Sequence, residues 1–245
     1  MAPLSLAILF VATTLAAILS GVTGLAGGAV ILACLAIFYE AHEALALHGL
    51  LQAVSNGLRI TLSRRHIRWD VVGRFCLLLI PGAWVGGMLF SLFDPHVVGI
   101  LLGLIILFAV WAPPPRGRWA FGLNGFIGLG LVTGFFSMFA GVVGPLLNPF
   151  FGMVGIKRES MVGTKSACLL ALHASRVGSY TSVVGFDYLA WAPEIGLLLA
   201  AVLLGQLLAA PVSRRITDAQ FERFMKVMLT ALALKQLYSG VRGLM

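Results

Sequence analysis

Long apolar stretches, each about as long as a bilayer is thick, limit what this chain can become. Val71 to Phe93 and Val97 to Ala112 are two of them, almost free of charge. A helix rising 1.5 Å per residue needs about 20 residues to cross roughly 30 Å of hydrocarbon. Hydrophobic residues make up 60% of the 245 and charged residues 11%, where a soluble domain carries roughly a quarter charged. With a mean hydropathy of +1.00, a water-soluble fold of this size could not cover its apolar surface. Repeated spans of this kind call for helices, which satisfy their own backbone hydrogen bonds in lipid. The expected class is an all-α integral membrane protein, multi-pass. The formal charge of +8 and pI near 10.0 do not point to nucleic acid, because the basic residues sit at the ends of apolar stretches and form no long polar patch. The positive-inside rule accounts for them.

Cys34, Cys76 and Cys168 all lie in apolar stretches without Cys-x-x-Cys spacing. They read as packing residues, and neither a disulfide framework, a metal site nor a cofactor is expected. No Lys or Arg occurs before Arg59, so the N-terminus lacks the positive region of a signal peptide and reads as the first membrane element.

The chain repeats itself. Gly24 and Gly141, Gly27 and Gly144, Arg59 and Arg176, and Asp70 and Asp187 each differ by 117 positions, with no gap from first pair to last. Residues 1–112 read as one repeat, 113–118 as a basic cytoplasmic linker and 119–245 as the second repeat. Each opens with an overlong apolar stretch, Leu4 to Phe38 and Trp119 to Val154, interrupted near its middle by glycines. Unbroken, such a helix would run about 50 Å and overshoot the bilayer. Each therefore reads as a discontinuous helix or a re-entrant hairpin. Three ordinary spans follow in each half, at 42–63, 71–92 and 96–112, then 158–184, 188–210 and 218–239.

Loop charges orient these spans. Arg64, Arg65, Arg68, Arg116, Arg118, Lys157, Arg158, Arg214, Arg215 and Arg223 mark one side, while the loops at Glu40 to Glu43, Asp94 to His96 and Gly185 to Asp187 carry no Lys or Arg. All basic loops share a side only if the second broken element begins and ends on that side. Each half then crosses an odd number of times, and the two are inverted repeats, a transporter signature.

Intramembrane polar residues are functional candidates by default, since placing a charge there costs a few kcal/mol. His48 and Arg59 are 11 positions apart, as are Lys165 and Arg176. That spacing is close to three helical turns, so each pair shares a face. The two stripes are expected to converge on a site near the midplane. There Lys165 or Arg176 supplies positive charge, and His48, Gln52, Asn56 and His173 supply hydrogen bonds. Gly27, Gly28 and Gly144 would add free backbone N–H groups at half-helix starts, with Pro145 suited to a first turn. Glu194 reads either as an ion-pair partner of Arg176 or as a proton carrier. Arg59 close to a helix end can snorkel, and Gln206 and Lys235 read as packing or interfacial residues.

The order of motifs resembles a known family. The glycine-rich breaks, Gly163-Thr164-Lys165-Ser166-Ala167, the Phe186-Asp187-Tyr188 entry to the next span, and Pro81-Gly82-Ala83-Trp84-Val85-Gly86-Gly87 are together similar to the TauE/SafE family, also called toluene sulfonate uptake permeases. The likeness covers roughly residues 20–240. It implies a secondary transporter, an exporter of sulfite, sulfoacetate or a related organosulfonate anion by alternating access, and it adds Thr164 to the candidate substrate contacts. The first break, Gly24-Leu25-Ala26-Gly27-Gly28-Ala29, lacks the proline often seen after it in that family.

Other function classes are weaker. Ser55 or Ser175 with His173 might be imagined as a hydrolase pair, but no Gly-x-Ser-x-Gly elbow or His-Glu-x-x-His motif occurs, and no enzyme is expected. An anion-selective channel for small oxyanions is the alternative, because the same stripes would suit a pore. The expected partners are a small sulfur-containing anion and the lipid bilayer, with a homo-oligomer left open.

Overall fold

The computed structural model describes residues 3–23, 27–111, 122–139, 141, 144–156, 158–212 and 218–245. Among these, every regular element is helical. The first overlong stretch is divided into α1 (Pro3–Thr23) and α2 (Gly27–Phe38), and the second into α6 (Gly125–Ser137) and α7 (Gly144–Met153). The ordinary spans are α3 (Ala41–Ser63), α4 (Trp69–Leu92), α5 (Pro95–Trp111), α8 (Arg158–Ser179), α9 (Ala192–Val212) and α10 (Asp218–Leu244). These bounds follow the apolar stretches closely. Gly24, in the first break, lies outside the described residues.

Two helices, Trp69–Leu92 and Ala192–Ala209, are by themselves long and apolar enough to cross a membrane. α4 shows which way they face. Its Leu77, Ile80 and Val85 point outward and are more than half exposed, whereas Gly82, Ala83 and Gly86 are buried. Large apolar side chains on the outside, with small residues packed inside beside Phe75, Leu79 and Phe90, suit lipid, where helices associate by close packing rather than by hiding oil from water.

The small residues bring α4 against α6. Gly82 lies on the Leu131 backbone and Gly86 on that of Phe135, while from the other side Gly130 meets Phe75 and Gly134 meets Leu79. The two helices run parallel and touch backbone to backbone. Gly205 of α9 likewise packs on Thr14 and Ala17 of α1. α5 and α10 are antiparallel, with Gly99 opposite Gln236, Gly103 opposite Ala233, and the Trp111 indole donating to Thr230 Oγ1 at 3.0 Å.

α3 and α8 form the centre, also antiparallel. Leu45 faces Arg176, His48 faces His173 and Gly57 faces Leu170. α3 ends in a 3₁₀ turn at Arg64–His66. α8 ends instead in a π turn, Tyr180–Val184, closed by Gly185 at φ 80° with Phe186 N donating to Tyr180 O at 2.8 Å. Glycine is suited there because side chains disfavour that backbone region.

Candidate functional site

α3 presents His48, Gln52 and Asn56 at intervals of four, on one face. All three are buried. His48 joins the two broken elements. Its Nε2 bonds the Gly28 carbonyl at 2.8 Å, and a side chain at Gly141 would sit 3.1 Å from its Nδ1. Because a carbonyl only accepts, Nε2 carries the proton and Nδ1 is left as an acceptor. Gln52 packs against Gly28 so closely that a Cβ there would lie 3.1 Å from its amide. Asn56 Nδ2 donates to the Gln52 carbonyl at 2.8 Å. The glycine at position 28 thus lets the start of α2 lie on the polar face of α3.

α8 contributes His173 and Arg176 to the same place. The two imidazole rings meet edge to face with centroids 5.7 Å apart. Arg176 is fully buried, and its Nη2 donates to the Leu45 carbonyl. Its Nε and Nη1 have no hydrogen-bond partner, and neither do His48 Nδ1, Gln52 Nε2, Asn56 Oδ1 and His173 Nδ1. A buried guanidinium is costly unless compensated. Among the described residues no carboxylate comes within ion-pair distance of Arg176; the pairs found there are His42 with Glu40 and Arg68 with Asp70.

The structure divides the expected positive charges. Lys165, also buried, is electrostatically close to Arg59 rather than to the histidines. It lies 11 residues from Arg176, or about 16 Å along the helix. The stripes therefore meet as a ladder, with Arg176 and the histidines toward one end and Lys165 with Arg59 toward the other. Thr164 is fully buried and accepts the Arg68 backbone N–H at 3.0 Å, which ties the N-terminal part of α8 to the α3–α4 turn. Gly27 and Gly144 open α2 and α7 as half-helix starts. Glu194 stands in the first turn of α9, not deep within a span, because α9 begins at Ala192.

Three contributors were not singled out from the sequence. The Tyr180 ring lies 5.8 Å from Arg176 Cζ, a cation–π distance, and its hydroxyl donates to the Met138 carbonyl beside the second break at 3.2 Å. It follows Arg176 by four positions, a spacing that places them together on a helix. Gly49 makes room for the guanidinium, since a Cβ there would lie 3.2 Å from Nε. Tyr188, from the loop before α9, donates to the Ala46 carbonyl at 3.3 Å. Gln206 Nε2 donates to Ser55 Oγ at 2.8 Å and ties α9 to α3, in keeping with a packing role.

The matching family is one of membrane transporters, described as Sulfite exporter TauE/SafE, and its model covers residues 9–236. Neither the curated proteins nor the solved structures compared with the chain give a match. With nearly the whole length covered, and with glycine-broken helices around a buried polar centre, the chain belongs to the Sulfite exporter TauE/SafE family.

Proposed function

We propose that this protein exports sulfite, sulfoacetate or a related organosulfonate across the bacterial inner membrane by alternating access, holding the anion at Arg176. The observation that carries this reading is the buried guanidinium with two unbonded nitrogens and, among the described residues, no carboxylate partner. Nη2 keeps a second N–H beside Nε or Nη1, and either pair is a planar fork that matches two oxygens of a sulfur oxyanion. His48, His173, Gln52 and Asn56 surround the same place with unbonded polar atoms. The acceptor at His48 Nδ1 favours a ligand that keeps one O–H, as the hydrogen sulfite monoanion does. Gly27, Gly28 and Gly144 contribute through the half-helix starts, and Lys165 with Arg59 gives the anion a second positive station on its way through.

We also read residues 1–112 and 119–245 as inverted repeats. Exchanging α1 to α5 for α6 to α10 carries the α4–α6 pairing onto α9–α1 and the α4–α8 pairing onto α9–α3, and leaves α3–α8 and α5–α10 in place. Equivalent helices that pack antiparallel enter the membrane from opposite faces, which supports the inversion. A cysteine at position 117, in the basic linker, should therefore react with a membrane-impermeant maleimide only in inside-out vesicles. Labelling in intact cells would reject the inverted arrangement.

Counterflow tests the transport reading. Proteoliposomes loaded with unlabelled sulfite should transiently accumulate labelled sulfite from outside, saturably and in competition with sulfoacetate; a channel gives no such overshoot. Glu194→Gln should keep the full response to an imposed pH gradient, in line with the position of Glu194 at a helix end. Loss of that response in a folded variant would restore Glu194 as the proton carrier.

A further inference from the structure

A second polar cavity lies away from the α3–α8 centre. It has a volume of about 290 Å³ and opens where the α2–α3 turn meets the start of α5 and the last third of α10. Tyr39, Glu40, His96, Lys235, Gln236 and Ser239 are among its lining residues. This is close to the lower size of pockets that hold small molecules.

Its chemistry is that of an anion site. The Lys235 ammonium donates to the Ala36 carbonyl in the last turn of α2, which uses one of its three N–H groups. Gln236 is 95% buried, as its 5% exposure shows, and its Nε2 donor has no partner. The Tyr39 hydroxyl is likewise buried and unbonded. The lining carboxylate, Glu40, has its side chain 71% exposed to solvent and lies 3.6 Å from His42. Glu43 and Asp94 are held by backbone N–H groups, Glu43 by that of Glu40 at 3.1 Å and Asp94 by that of His96 at 2.7 Å. Lys235 and Ser239 are one helical turn apart, so both present to the same space.

We propose that this cavity, built from Lys235, Gln236 and Tyr39, is a second binding site for a small oxyanion, a sulfonate or a phosphate group, separate from the Arg176 centre. It borders the turns at Glu40 and at Pro95, which belong to the loops without Lys or Arg. In the orientation read from the basic loops, that is the side opposite the cytoplasm. An anion leaving the centre or a lipid headgroup from the outer leaflet supplies the same chemistry.

The site is tested locally, without transport. Ser239→Cys is placed in a full-length chain with Cys34, Cys76 and Cys168 changed to serine, and held in phosphatidylcholine nanodiscs. Its modification rates are measured with an anionic and a cationic methanethiosulfonate reagent of similar size. The anionic reagent should react faster, and millimolar methanesulfonate should slow both. Adding Lys235→Gln should lower the anionic-to-cationic ratio about tenfold, as expected for losing one charge near the thiol at protein-like dielectric, and Lys235→Arg should restore it. Arg176→Ala should leave the protection intact, so failure of the central site and of this one are read separately. Protection that appears in phosphatidylglycerol discs without methanesulfonate identifies a lipid headgroup as the occupant, and protection by methanesulfonate alone identifies a soluble anion. A ratio unchanged by Lys235→Gln, or no protection in either setting, overturns the proposal and leaves Lys235 as a cap on α2.

Discussion

Arg176→Ala is expected to weaken binding of the transported sulfur anion by roughly 30- to 150-fold. That corresponds to about 2 to 3 kcal/mol, the contribution of hydrogen bonds from a charged donor to an anion in a buried place. The geometry explains why so much rests on one residue. Nη2 is held by the Leu45 carbonyl, Gly49 makes room for Nε, and Tyr180 supports the planar group from its face. The guanidinium is thus fixed with Nε and Nη1 unbonded. Arg176→Lys keeps the charge but loses the fork, so affinity should still fall. Stability should move differently. A buried charge without a carboxylate partner is a burden on the fold, and Arg176→Met, which keeps the volume, should melt no lower than the parent. Isothermal titration with sulfite and a thermal melt of the same samples decide the matter. Unchanged affinity in folded Arg176→Ala protein would remove Arg176 from the ligand set.

The largest structural effect is expected at Gly130. A Cβ built there collides with the Phe75 carbonyl oxygen, and nothing flexible can give way because the obstacle is backbone. Gly130→Leu should push α6 from α4 and cost about 3 kcal/mol or more by overpacking. For a chain of this length that lowers the melting temperature by roughly 6 to 12 °C. Gly128→Leu is the matched control. It lies two positions earlier on the same helix, with nothing within 4 Å of its Cβ, and should stay within about 0.5 kcal/mol of the parent. Equal melting of the two variants would show that the α4–α6 contact does not support the fold.

Much of this fold was legible in the sequence because lipid imposes one length on every span. The expected span at 42–63 became α3 at Ala41–Ser63, and both overlong stretches hold two separate helices, α1 with α2 and α6 with α7. His48, Gln52, Asn56, His173 and Arg176 were legible for a related reason, since buried polar groups in an apolar span stand out. Their partners were not. Spacing along one helix says which residues share a face, and it is silent on which helix that face meets. The placing of Arg59 near Lys165, and of Leu45 beside Arg176, depends on the antiparallel setting of α3 and α8, and the contacts of Gly49 and Tyr188 join residues from distant parts of the chain. That the Thr164 hydroxyl accepts the Arg68 backbone N–H was not legible either. The backbone contacts of Gly130 and Gly134 with α4 likewise join residues far apart in the sequence.

The different endings of α3 and α8 bear on which way the carrier rests. Two halves of identical structure would make the inward-open and outward-open forms mirror situations of equal free energy, populated half and half without substrate. Here one central helix closes in the tight 3₁₀ turn at Arg64–His66 and the other in the wide π turn at Tyr180–Val184. Under the alternating access proposed above, this difference would lift the degeneracy: one form would be the resting state, and a ligand would have to bind the other more tightly, by at least that energy difference, before the population swings over.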